Sequence, residues 1–146
     1  MYQTVKDIHS YWAYLVVLVL LVAVINAIIG MTSKKEFDNK SLRISLFGLI
    51  VSHIQLLIGL ILYFVSPMFD LWGTMGGEVM KDSTMRLYLV EHPVVNILAI
   101  VLITIGFSKH KKKDSSAGKY KIIAICYSIA LLLLLSRIPW STWPRF

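Results

Sequence analysis

Four histidines carry most of the chemistry open to this chain of 146 residues: His9, His53, His92 and His110. His110 stands among lysines, where water can satisfy it. The other three fall inside or at the edge of long apolar runs. An ionisable side chain in a hydrocarbon layer is costly, so it marks a functional position by default. Imidazole is the usual axial ligand of b-type haem, and helical bundles hold such groups between facing helices. Covalent haem attachment is ruled out, because the single Cys126 allows no Cys-x-x-Cys-His motif. An isolated histidine near a helix end otherwise serves as an interfacial hydrogen bonder. Three in one small bundle weigh against that role for all of them.

Four apolar runs must position these side chains, over about 8–31, 41–65, 87–107 and 120–138. Each approaches the roughly 20 residues a helix needs to cross a bilayer. The fourth is the shortest, and Ile138-Pro139-Trp140 is expected to extend it. The chain is 57% hydrophobic and only 16% charged, with a mean hydropathy of +0.70. A soluble domain of this size could not cover that much apolar surface. The expected fold is all-α: a single domain over 1–146, an integral membrane four-helix bundle running up-down-up-down.

The net charge of +7 would suggest nucleic acid in a soluble protein. Here the cations flank the spans, so no nucleic-acid partner is expected. Lys34, Lys35, Lys40 and Arg43 cluster after the first run, and Lys109, Lys111, Lys112, Lys113, Lys119 and Lys121 after the third. The loop between the second and third runs has Lys81 and Arg86 offset by Asp70, Glu78 and Asp82. The positive-inside rule therefore puts both termini on the outer side of a bacterial inner membrane, with Trp12, Trp72, Trp140 and Trp143 at the outer interface. Met1–Ser10 lacks the basic start of a signal peptide, so the first span is expected to remain in the mature protein.

Local signals punctuate the runs. Thr32-Ser33-Lys34-Lys35 should end the first helix, and Ser41 is expected to cap the second. Ser66-Pro67 should end the second, because a residue before proline is driven from the α region. Gly73, Gly76 and Gly77 mark an outer loop in which Glu78–Met85 is expected as a short surface helix. Ser115-Ser116-Ala117-Gly118 reads as a flexible turn.

Geometry favours one histidine pair. Two imidazoles on one iron need backbones roughly 12 Å apart, farther than the 8–10 Å between adjacent packed helices. Helices one and three are diagonal in this topology, which favours His9 with His92. His9, Ala13, Val16, Leu20, Ala23 and Ala27 share one helical face, as do His92, Asn96, Ala99, Ile103 and Gly106. Counting from the cytoplasmic ends sets His9 about 10 Å farther out than His92, and His53 about 10 Å farther in. His53 with His92 therefore stays open, as does His53 as a third polar group on a proton or quinone path. Arg86 and Arg137 are candidates for haem propionates or lipid headgroups, and Glu91 for neutralising an arginine or orienting an imidazole. Pro93 is either a first-turn residue or a break in a longer helix. Gly48, Ser52, Gln55 and Gly59 form a small-polar stripe expected to pack against another helix.

The segments Ile8-His9-Ser10, Ser52–Leu60, Glu91-His92-Pro93, Ile105–Lys109 and Arg137-Ile138-Pro139-Trp140 resemble a family of short four-span proteins of Bacteroidetes-type bacteria, commonly labelled cytochrome b. The resemblance covers nearly the whole chain. It departs at Asn96, where members typically carry a second methionine after Glu-His-Pro. The resemblance implies haem b and electron transfer, and it raises His9, His53 and His92 together.

Two functions follow as expectations. One is a small b-type cytochrome exchanging electrons with quinone or a respiratory complex. The other is a cofactor-free accessory subunit of a larger membrane assembly, suggested by the small size and small-residue stripes. A proton-coupled carrier is disfavoured, since Glu91 is the one membrane carboxylate. No phosphate loop, nucleophile elbow or His-Glu-x-x-His motif occurs, so no hydrolase or nucleotide chemistry is expected.

Overall fold

The computed structural model describes residues 1–144. Among them are five helices and no strand: α1 (Tyr2–Thr32), α2 (Asn39–Val65), α3 (Leu71–Met75), α4 (Ser83–His110) and α5 (Ser116–Ser136). Turns of 3₁₀ helix at Pro67–Asp70 and Gly76–Lys81 flank α3. All but α3 are long and apolar enough to cross a membrane.

The helix ends follow local chemistry. Lys34, at φ 54°, leaves the right-handed region, and the Lys35 N–H returns to the Gly30 carbonyl at 3.0 Å, closing α1. Asp38, not Ser41, caps α2: its carboxylate accepts the Ser41 backbone N–H at 2.9 Å. The expectation for Ser41 fails because an N-cap bonds the amide three residues on, and Asp38 is the side chain placed to do so. Hydrogen bonds from Ser41 hold the Asp38 carboxyl below the usual carboxylate range. Ser66 is extended at ψ 136° ahead of Pro67, ending α2 as expected. The expected surface helix over Glu78–Met85 is divided instead. Its first part is the 3₁₀ turn, and Asp82 then caps α4, which absorbs Ser83 onward. The fourth span does not extend through Trp140. It ends at Ser136, because Pro139 disfavours helical backbone at Ile138.

Within α4, Leu87–Glu91 is a π turn directly before His92 and Pro93. The helix begins upstream, so Pro93 lies inside it and deprives the Leu89 carbonyl of its donor four residues on. Tyr63 of α2 replaces that donor, its hydroxyl reaching the Leu89 oxygen at 3.0 Å. The Trp72 indole N–H in turn donates to the Tyr63 hydroxyl at 3.0 Å. One proline is thereby tied to α2 and to the α2–α4 loop.

The four long helices form a ring: α1 against α2, α2 against α4, α4 against α5, and α5 against α1. Helices α1 and α4 thus sit across the bundle from each other. Bonds join Asn26 to Ser41, Trp12 to Val51 and His9 to Gln55, so α1 and α2 run antiparallel. The core contains Val16, Leu20, Ala23 and Ala27 of α1, Ala99 and Ile103 of α4, and Tyr120, Ile123 and Tyr127 of α5. The two small-residue faces read from the sequence do point inward. Two glycines set the closest approaches. A β-carbon on Gly30 would overlap the Tyr120 ring, and one on Gly106 would lie 2.5 Å from the Cys126 β-carbon. Leu18, Leu57, Ile61, Phe64, Leu98 and Leu132 all face outward and exposed. Such a girdle suits lipid, and a multi-pass membrane bundle is the architecture it describes.

Candidate functional site

His9 and His92 meet. Their ring centroids are 6.1 Å apart with planes at 75°, although they come from diagonal helices. The depth offset counted from the helix ends is therefore overturned. Asn26 bonds Ser41 near the start of α2, so the last six residues of α1, about 9 Å of helix, overrun that level. Counting from that overhanging end exaggerates how far out His9 lies.

The two rings are held differently. His92 Nδ1 lies 2.7 Å from the Arg137 carbonyl, just past the end of α5. A carbonyl can only accept, so Nδ1 carries the proton and Nε2 presents its lone pair. Asn96, one turn on, donates its amide N–H into that lone pair at 3.0 Å, so a metal on Nε2 would displace the Asn96 bond. His9 Nδ1 is buried with no hydrogen-bond partner among the described residues. Gly59 makes room for this ring, since a β-carbon there would stand 3.1 Å from His9 Cε1. Gln55 donates to the His9 backbone carbonyl at 3.0 Å. The stripe on α2 therefore packs on α1 as expected, with its Gln55 and Gly59 end against His9.

His53 lies apart from the pair. Its Nδ1 bonds the Leu49 carbonyl at 2.8 Å and its Nε2 approaches the Thr104 hydroxyl at 3.3 Å. Thr104 is twelve residues along α4 from His92, about 18 Å of helix. One ion cannot join them. His110 is buried beneath Phe37 and Phe107, with Nδ1 bonded to the Phe107 carbonyl, so it is not the solvated side chain expected.

Both arginines converge on Glu91, the residue before His92. Arg86 Nε is 2.8 Å from one carboxylate oxygen and Arg137 Nε 3.4 Å from the other. Two guanidinium groups on one carboxylate leave a net positive charge beside the imidazole pair. Arg86 also donates to the Met80 carbonyl at 2.8 Å.

Sequence reasoning missed Trp143. Its indole N–H donates to the Ser10 carbonyl at 3.1 Å and its ring stacks on Tyr14 at 4.7 Å. The chain after α5 thus folds back beside His9. An aromatic at an expected interface gives no signal of which helix it will find.

Two imidazoles holding one metal between them, with bonds of about 2 Å and ring centres roughly 1 Å behind the nitrogens, would have centroids roughly 6 Å apart. His9 and His92 meet that spacing, and the His92 Nδ1 bond to a carbonyl is the usual outer contact of a ligating histidine. Among the described residues, no three His, Cys, Asp or Glu side chains gather into a group that could hold a bare ion. A scan against protein-family models finds no match, and comparisons with curated proteins and with solved structures find none either.

Proposed function

We propose that this chain is a small b-type cytochrome of a bacterial inner membrane, an up-down-up-down bundle with both termini outside, in which His9 and His92 would hold one haem b. The observation that carries the reading is the 6.1 Å spacing of the two imidazoles across the bundle. Such a group would ask only two ligands of the protein, and His9 and His92 are the two imidazoles that meet here. When bound, such a group supplies one-electron redox chemistry.

The chain's own residues do the rest. The Arg137 carbonyl fixes the tautomer and orientation of His92. Gly59 gives His9 its place. Arg86 and Arg137, sharing Glu91, keep a net positive charge that suits a propionate. His53, beside Thr104 in the last two turns of α4, spends its Nδ1 proton on the Leu49 carbonyl and offers Nε2 as an acceptor on a proton or quinone path.

The test is the absorption spectrum of protein produced with ample haem, oxidised and then dithionite-reduced. Sharp six-coordinate bands are expected. A flat visible spectrum would overturn the reading and leave the second one, a cofactor-free accessory subunit. That alternative has its own support: 6.1 Å and 75° also suit an edge-to-face aromatic contact. It expects a colourless protein that co-purifies with larger membrane subunits.

A further inference from the structure

At the opposite end of the bundle, a cavity of about 380 Å³ opens between the loop after α1 and the turn joining α4 to α5. Phe37, Asp38, Asn39, His110, Lys111 and Lys119 line it. His110 is only 2% exposed, so this wall is a fixed part of the fold. The two lysines are held by rings: Lys111 Nζ lies 4.8 Å from the Phe107 centroid and Lys119 Nζ 5.7 Å from that of Phe37. Neither has a carboxylate partner among the described residues. The one acid on the wall, Asp38, is engaged by the Ser41 amide at 2.9 Å and by Lys35 at 3.9 Å. The first turn of α2 starts at Asn39 and adds the partial positive charge of a helix start.

Two unneutralised ammonium groups over an open pocket floored by the buried His110 make an anion site. Its position narrows the anion. The cavity lies where α1 and α4 end and α2 and α5 begin, at the headgroup level of any bilayer the bundle crosses. Lys34, Lys35, Lys40, Lys109, Lys112, Lys113 and Lys121 surround it in the sequence. Basic pockets between helix ends on the cytoplasmic side suit anionic headgroups. We infer that this pocket binds the phosphate of an anionic phospholipid, with Lys111 and Lys119 as its charged contacts. The acyl chains would then lie along the apolar outer faces of the adjoining helices. This site stands independently of the haem reading.

Native mass spectrometry of the full chain in detergent tests it. Phosphatidylglycerol is titrated against phosphatidylcholine, with inorganic phosphate as a competitor. Wild type should retain phosphatidylglycerol selectively. K111Q/K119Q should bind it about tenfold or more weakly, from two lysines lost at the membrane surface. K112Q/K113Q, equal in charge change but not in the pocket lining, should bind nearly as wild type. Equal losses in both double variants would overturn the pocket in favour of diffuse charge. Displacement by millimolar phosphate would overturn the lipid assignment in favour of a free anion. Thermal unfolding of each variant shows whether the fold is kept. If K111Q/K119Q unfolds early, the single K111Q, at an exposed position, carries the same comparison.

Discussion

The two ends of the bundle treat buried polar groups in opposite ways. At the end where α1 meets the start of α2, every such group is bonded. Ser41 Oγ lies 2.8 Å from the Tyr120 hydroxyl and also accepts from Asn26, and Tyr120 donates on to the Glu36 carbonyl. Tyr127 reaches the Ser45 carbonyl at 2.8 Å. Toward the histidine end, four buried polar atoms have no partner among the described residues: His9 Nδ1, Ser52 Oγ, Gln55 Oε1 and Asn96 Oδ1. Three of these belong to the imidazole pair's own surroundings. An unmade hydrogen bond in a low-dielectric interior costs about 1–3 kcal/mol. The fold therefore satisfies its buried polar groups at one end and leaves several of them unpaired, among the described residues, toward the other.

The sharpest way to break that contrast is substitution of the two imidazoles that the proposed function assigns to haem. H9A and H92A should each abolish the reduced haem bands, while H53A, whose ring is elsewhere, should keep them. If H53A bleaches the protein and H9A does not, the pairing is wrong. Y120F, at the satisfied end, should leave the spectrum intact and lower the thermal midpoint.

Gly30 tests whether the satisfied end is as tightly packed as it is well bonded. G30A sets a β-carbon into the Tyr120 ring, so a loss of about 2–3 kcal/mol is expected from overpacking, read by denaturant unfolding in detergent. A neutral result would mean that α1 and α5 can slide apart there.

A smaller effect probes the seam near His92. Y63F orphans the Leu89 carbonyl and should cost about 1–2 kcal/mol. P93A returns an N–H to that carbonyl, so the two changes should couple by about 1 kcal/mol in a double-mutant cycle. Additive losses would show that Tyr63 does not serve the proline. The smallest effect belongs to the α2–α4 loop. The Lys81–Glu78 pair at 2.9 Å is exposed on both sides, and K81A should change stability by less than about 0.5 kcal/mol.

Much of this was legible in the residues. Hydropathy runs located the four long helices, since crossing lipid demands length and apolarity whatever the packing. Helical periodicity picked the inward faces of α1 and α4, because a residue three or four positions on must lie on the same side. Ser66-Pro67 ended α2 through a local steric clash. The failures were those of contact. Ser41 and Asp38 are both capping types, and only the backbone decides which lies outside the first turn. His110 looked solvated because its neighbours are lysines, yet Phe37, from a distant loop, closes over it. Trp143 and Tyr63 gave no sign of Ser10 or Leu89 as partners.

The sequence by itself determined that this chain buries four helices in lipid and carries three imidazoles there, because transfer energy and helical geometry are properties of short stretches. Only the tertiary structure decided that His9 and His92 share one space while His53 stands about three turns or more along α4 from it. Axial offset and tilt between helices depend on which side chains interlock. Gly30 under Tyr120, Gly106 against Cys126 and Gly59 beside His9 are long-range fits that no local pattern encodes.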